Sequence, residues 1–95
     1  MNRDNLIKIV ERIERSLRAR DMVIKNIGIK DKQRKYEIYI NLYTNPLRAK
    51  KIKIIIAKHR YKYRVYSGLK SLDLAIKRAI AMELSRKGVG DENTP

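Results

Sequence analysis

Between residues 51 and 65 the chain reads KIKIIIAKHRYKYRV, and the parity of its large apolar positions reverses once. Ile52, Ile54 and Ile56 fall on even positions, whereas Tyr61, Tyr63 and Val65 fall on odd ones. Side chains alternate faces along a strand, so a single straight strand would send these two sets to opposite sides of a sheet. A hairpin returns them to the same side. A turn around residues 57–60 with an even loop pairs Ile56 with Tyr61, Ile54 with Tyr63 and Ile52 with Val65. One long strand bulged near His59 is the alternative, because neither Gly nor Asn occupies the turn.

The hairpin has an electrostatic consequence. With the isoleucines and tyrosines facing the core, Lys51, Lys53, Ile55, Lys62, Arg64 and Tyr66 share the other face, and Lys53 is expected directly across from Arg64. Like charges facing each other across two strands destabilise the pair, and a bound polyanion would relieve that. From residue 38 through residue 72 there is no Asp or Glu, against nine Lys or Arg. A solvated surface usually mixes signs. Lysines that protect an edge hairpin from aggregation are the competing explanation. The whole chain carries 24 Lys and Arg against 10 Asp and Glu, a net charge of +14, whose self-repulsion an anionic partner would ease.

The flanking segments supply the rest of a small domain. Residues 3–20 read as an amphipathic helix with Leu6, Ile9, Val10, Ile13 and Leu17 on one face and Asn2 or Asp4 at its start. Lys8, Arg12, Arg15 and Arg18 form a second stripe, with Glu11–Arg15 and Glu14–Arg18 spaced for ion pairs. MVIKNIGIK (22–30) reads as a strand that changes phase near Asn26, with Gly28 marking a bulge. The link DKQRK follows, and YEIYINLY (36–43) alternates cleanly, setting Tyr36, Ile38, Ile40 and Leu42 against Glu37, Tyr39, Asn41 and Tyr43. TNPLR is a turn. Residues 71–88 read as a second helix with Ser71 as its cap, Asp73 in the first turn, a buried stripe of Leu72, Ile76, Ala79, Ile80 and Leu84, and a stop at Arg86–Gly88.

At 95 residues and 43% hydrophobic content the chain suits one domain of one sheet layer and one helix layer. The expected class is α+β: an N-terminal helix, a three- or four-stranded antiparallel sheet and a C-terminal helix, with both helices on one sheet face. The domain spans 1–88 and 89–95 forms a disordered tail. The lack of Cys excludes disulfides, thiolate metal sites and a Cys nucleophile. Acids cluster nowhere, no phosphate-cradling Gly loop or metalloprotease pattern occurs, and the reading is of a non-enzyme without cofactor or metal. His59 is the sole histidine and reads as a polar turn residue. No apolar run is long enough to span a bilayer, and the N-terminal segment lacks a signal peptide's apolar stretch, so the expected location is cytoplasmic. A single Gln, no Cys, no Trp and 36% charged residues fit a thermophile, archaeal or archaeal-virus, proteome.

The stretch YKYRVYSGLKSLDLAIKRAIAMEL resembles the AP2/integrase-type DNA-binding domains, in which a three-stranded sheet is followed by one helix. Gly68, Leu69, Ser71, Ala75 and Ala79 carry the likeness. That resemblance implies a sheet face docked in the DNA major groove, through Lys51, Lys53, Lys62 and Arg64. The order of elements also resembles the double-stranded RNA-binding domain. That family's Gly-Pro-x-His loop and helix-start lysine cluster have no counterpart in TNPLRAK or in Leu72–Leu74.

The expected function is binding of nucleic acid, duplex DNA foremost, through an open basic sheet face and hairpin, in a regulatory or architectural role. The candidate contacts are Arg48, Lys50, Lys51, Lys53, Lys58, His59, Arg60, Lys62 and Arg64, with Tyr39, Tyr43 and Tyr66 alongside. RNA or single strands, or a non-enzymatic protein-interaction module such as a viral inhibitor of a host protein, are the alternatives. No membrane partner is expected, and the first helix leaves room for a homodimer.

Overall fold

The structure, a computed structural model, describes residues 1–45, 47–60 and 62–92, with the side chains of 86–92 outside the description. Helix α1 (Arg3–Arg18) leads into four strands, β1 (Val23–Asp31), β2 (Lys35–Tyr43), β3 (Ala49–Ala57) and β4 (Tyr63–Tyr66), and helix α2 (Lys70–Glu92) closes the chain. Each strand pairs antiparallel with its neighbour in sequence, giving one sheet in the order β1-β2-β3-β4. Four strands and two helices are the α+β arrangement expected from the sequence.

Both helices lie on one face of the sheet, α1 toward β1 and α2 toward β4, and pack against each other. The covered face is the expected parity set. Tyr36, Ile38, Ile40, Leu42, Ile52, Ile54, Ile56 and Val65 are buried against Leu6, Ile9, Val10, Ile13 and Leu17 of α1 and Leu72, Ile76, Ala79, Ile80 and Leu84 of α2. Arg12 turns toward α2 and meets Glu83 at 3.6 Å, so it belongs to the helix–helix seam rather than to an outward basic stripe. Glu14 and Arg18 pair at 3.2 Å; among the described residues Glu11 and Arg15 do not.

Local chemistry sets the element ends. Asn2 caps α1, its Oδ1 accepting the Asn5 N–H at 2.9 Å. Asp21 adopts a left-handed φ of 59°, which lets the Met22 N–H return to the Leu17 carbonyl at 3.2 Å. The phase change in β1 is a bulge between Ile24 and Asn26, so Lys25 is the inserted residue and Gly28 stays in register opposite Tyr39.

α2 begins one residue before the expected Ser71 cap. Ser67 and Asp73 form its entry instead: the Asp73 carboxylate accepts the Ser67 N–H at 2.9 Å, and Ser67 Oγ accepts the Leu69 N–H at 3.2 Å. Gly68, between them, has φ 83°, a conformation that a Cβ would strain. The helix continues past Gly88 to Glu92, and the disordered tail expected over 89–95 lies, from 93 onward, outside the described residues.

The 51–65 stretch is a hairpin, with Ile52, Ile54, Ile56, Tyr63 and Val65 on one face, but its register differs from the even-loop expectation by two residues. Ile56 pairs with Tyr63, Ile54 with Val65, Ile55 with Arg64 and Lys53 with Tyr66. β3 runs through Ala57, whose N–H reaches the Lys62 carbonyl at 2.9 Å, so the turn is 58–61 rather than 57–60. Tyr61 lies outside the described residues. The turn keeps its length and moves one residue along the chain, and the resulting two-residue shift in pairing preserves parity, which is why the facing was legible when the pairing was not. Lys53 therefore does not oppose Arg64.

Candidate functional site

The uncovered face of the sheet is laid out in cross-strand rows. From the turn end inward they are Lys35–Ala57–Lys62, then Lys30–Glu37–Ile55–Arg64, then Gly28–Tyr39–Lys53–Tyr66, then Asn26–Asn41–Lys51. The face thus presents Lys30, Lys35, Lys51, Lys53, Lys62 and Arg64, and Glu37 is the single acid in these rows. On the helix-covered side and its rim the signs are mixed, and three pairs form there among the described residues: Arg12–Glu83, Glu14–Arg18 and Lys58–Asp31.

Glu37 is held in place by its neighbours. The Tyr39 hydroxyl donates to its Oε1 at 2.9 Å and Lys35 Nζ lies 3.5 Å from its Oε2. The Tyr39 hydrogen bond, followed by the Lys35 contact, outweighs partial burial and holds the carboxyl below its ordinary 4.5. A depressed folded-state pKa stabilises the fold above 4.5, and that contribution disappears as pH falls through the folded value. In acid titrations followed by circular dichroism, Glu37→Gln should therefore show a shallower loss of stability below about pH 4.5 than the parent chain.

Tyr39 sits at the centre of the face. Its ring is flanked by Lys30 Nζ at 5.1 Å and Lys53 Nζ at 5.7 Å from the centroid, and Gly28 leaves the space beside it open. Asn41 Nδ2 donates to Asn26 Oδ1 at 2.8 Å in the next row. Tyr66 is half-exposed beside Lys53, and Tyr43 is half-buried toward the far end of β2.

The sequence-derived candidates separate into three groups. Lys51, Lys53, Lys62, Arg64, Tyr39, Tyr43 and Tyr66 share the open face. Arg48, in the β2–β3 connection, and His59 and Arg60, in the β3–β4 turn, are exposed at opposite ends of the sheet. Lys50 and Lys58 have structural work on the helix side. Lys50 Nζ donates to the Ser67 carbonyl at 2.7 Å beneath Gly68, and Lys58 pairs with Asp31 with its ammonium 4.7 Å from the Tyr36 ring centroid.

Sequence reasoning missed Lys30, Arg34 and Lys35. DKQRK reads in the sequence as a polar link, yet the clean alternation of β2, extended one step back, puts Lys35 on the Glu37–Tyr39 side. The two turns meet because the Lys58 N–H bonds the Arg34 carbonyl at 2.9 Å, continuing the β2–β3 ladder.

Among the described residues no helix is long and apolar enough to cross a membrane, and no group of three or more His, Cys, Asp or Glu is placed to hold a metal. No family model, curated protein or solved structure matches the chain.

Proposed function

We propose that this protein binds nucleic acid, and duplex DNA in particular, by laying the open face of its sheet against the phosphate backbone. The observation that carries this reading is the segregation of charge. Six cations face outward in adjacent rows with one acid, itself paired by Lys35, whereas on the helix side acids are interspersed among the cations and form the Arg12–Glu83, Glu14–Arg18 and Lys58–Asp31 pairs. Cations that outnumber the carboxylates on one face gain most from replacing the condensed counterions of a polyanion.

The placement of Tyr39, the tyrosine at the centre of the face, favours backbone contact over stacking on single strands. A stacking platform needs an aromatic face free to receive a base. Tyr39 has its ring flanked by Lys30 and Lys53 and its hydroxyl engaged by Glu37. The ring therefore positions two ammonium groups rather than offering a free surface.

Duplex DNA, duplex RNA and single strands of equal length are compared by gel shift and anisotropy at two or more salt concentrations. With about six phosphates engaged, log K for duplex DNA falls against log salt with a slope of about −5. A flat salt dependence, or capture of a protein partner that survives nuclease treatment with no nucleic-acid binding, would overturn the reading.

A further inference from the structure

The turn end of the open face holds a concavity of about 630 Å³. Its origin lies in the side-chain lengths along β3. The open-face positions run Lys51, Lys53, Ile55, Ala57, so the central strand loses its long side chains toward the turn. The neighbouring strands keep theirs: Arg34 and Lys35 line one side, and Lys62 and Arg64 the other. The result is a trough with an aliphatic floor and cationic walls, with Tyr63 lining it between Lys62 and Arg64. The walls are held by main-chain bonds of 2.9 Å each, from Lys32 N to Lys35 O, Lys58 N to Arg34 O and Ala57 N to Lys62 O.

Phosphate alone does not account for such a floor. Ile55 and Ala57 offer no hydrogen bonds and favour a flat apolar ring, while the walls favour the charges attached to it. A small-molecule site is typically a concavity of roughly 300–1,000 Å³ with an apolar lining and a few convergent polar groups. Glu37, the acid nearest this floor, is turned to Lys35 and Tyr39.

We infer that the trough receives one unpaired nucleotide, its base on Ile55 and Ala57 and its flanking phosphates between the Arg34–Lys35 and Lys62–Arg64 walls. This rests on the nucleic-acid reading of the face and adds to it a preference: a duplex that carries a single-stranded extension is a better ligand than a blunt one. An overhanging base needs no unpairing, so nothing is spent on opening a base pair.

The test measures anisotropy of a blunt duplex and of the same duplex with three-nucleotide 5′ or 3′ overhangs, for the parent chain and for Ala57→Ile, which fills the trough and keeps every cation. The parent chain should bind an overhang duplex about tenfold more tightly than the blunt one, and Ala57→Ile should erase that difference while leaving blunt affinity within about twofold. Equal affinity of the parent chain for both duplexes overturns the trough but leaves the sheet-face reading standing. Failure to bind either overturns both.

A second measurement does not depend on the variant folding. Titration of the parent chain with deoxyadenosine monophosphate should shift the Ile55 and Ala57 methyl resonances. Equal shifts from inorganic phosphate would reduce the site to an anion site and overturn the assignment of a base.

Discussion

Replacing Lys51 and Arg64 together by Glu is expected to lower affinity for duplex DNA about a hundredfold at moderate salt and to flatten the salt dependence. Both side chains are exposed on the open face, so the fold should tolerate the change, with far-ultraviolet circular dichroism as the check. The informative comparison is Lys8→Glu with Arg15→Glu on the exposed side of α1, which alters net charge by the same amount. If the sheet face is the contact surface, the α1 pair lowers affinity no more than about fivefold, a long-range effect that added salt screens. Equal losses from the two pairs would mean that total charge, rather than a face, governs binding.

The second large effect concerns stability. Ile54 is fully buried between Ile38 and Val65 in the middle of the covered face, and Ile54→Ala should cost about 2–5 kcal/mol. A domain of this size has only roughly 5–15 kcal/mol in hand. The melting temperature should therefore fall by at least about 10 °C. Ile55, its neighbour, is half-buried on the open face, and Ile55→Ala should cost only about 1 kcal/mol. Adjacent residues of identical type thus provide an internal control for which face is core. Comparable losses at the two positions would contradict the facing of β3.

That facing was legible because parity is a property of sequence alone. The isoleucines of β3 and the clean alternation of β2 determine which side chains are buried whatever the register, and the helical stripes of α1 and α2 do the same. Register was less legible, because a two-residue slip keeps every side chain on its own face and costs nothing that a pattern can register. The pairing of Tyr63 with Ile56 depends on where the turn falls, and no glycine announces its position. Capping failed for a related reason. Ser71 has the right chemistry in the right neighbourhood, but Ser67 and Asp73 act across six residues through a backbone turned by Gly68.

The candidate site was legible in the same partial way. The acid-free run identified β3 and β4 as its centre. Lys30 and Lys35 come from a segment where Asp31 and Glu37 intervene in sequence, so composition diluted them. Only pairing shows Lys30 on the open face while Asp31, one residue on, faces the other way to meet Lys58. Lys50 and Lys58 show the converse: charge density in sequence overstated the site, because two of its lysines satisfy a carbonyl and a carboxylate on the helix side.

The packing of α1 against α2 has a consequence for how the chain is made. Each strand finds its partner within a few residues, and such short-range closure is quick. The helix–helix seam instead joins the two ends of the sequence, with Arg12 meeting Glu83. During vectorial synthesis α1 leaves the ribosome first, yet the apolar stripe from Leu6 to Leu17 lacks half its cover until residues near Leu84 have emerged. α1 is therefore sealed only after α2 has emerged, and until then its oily side is the surface that a chaperone would meet.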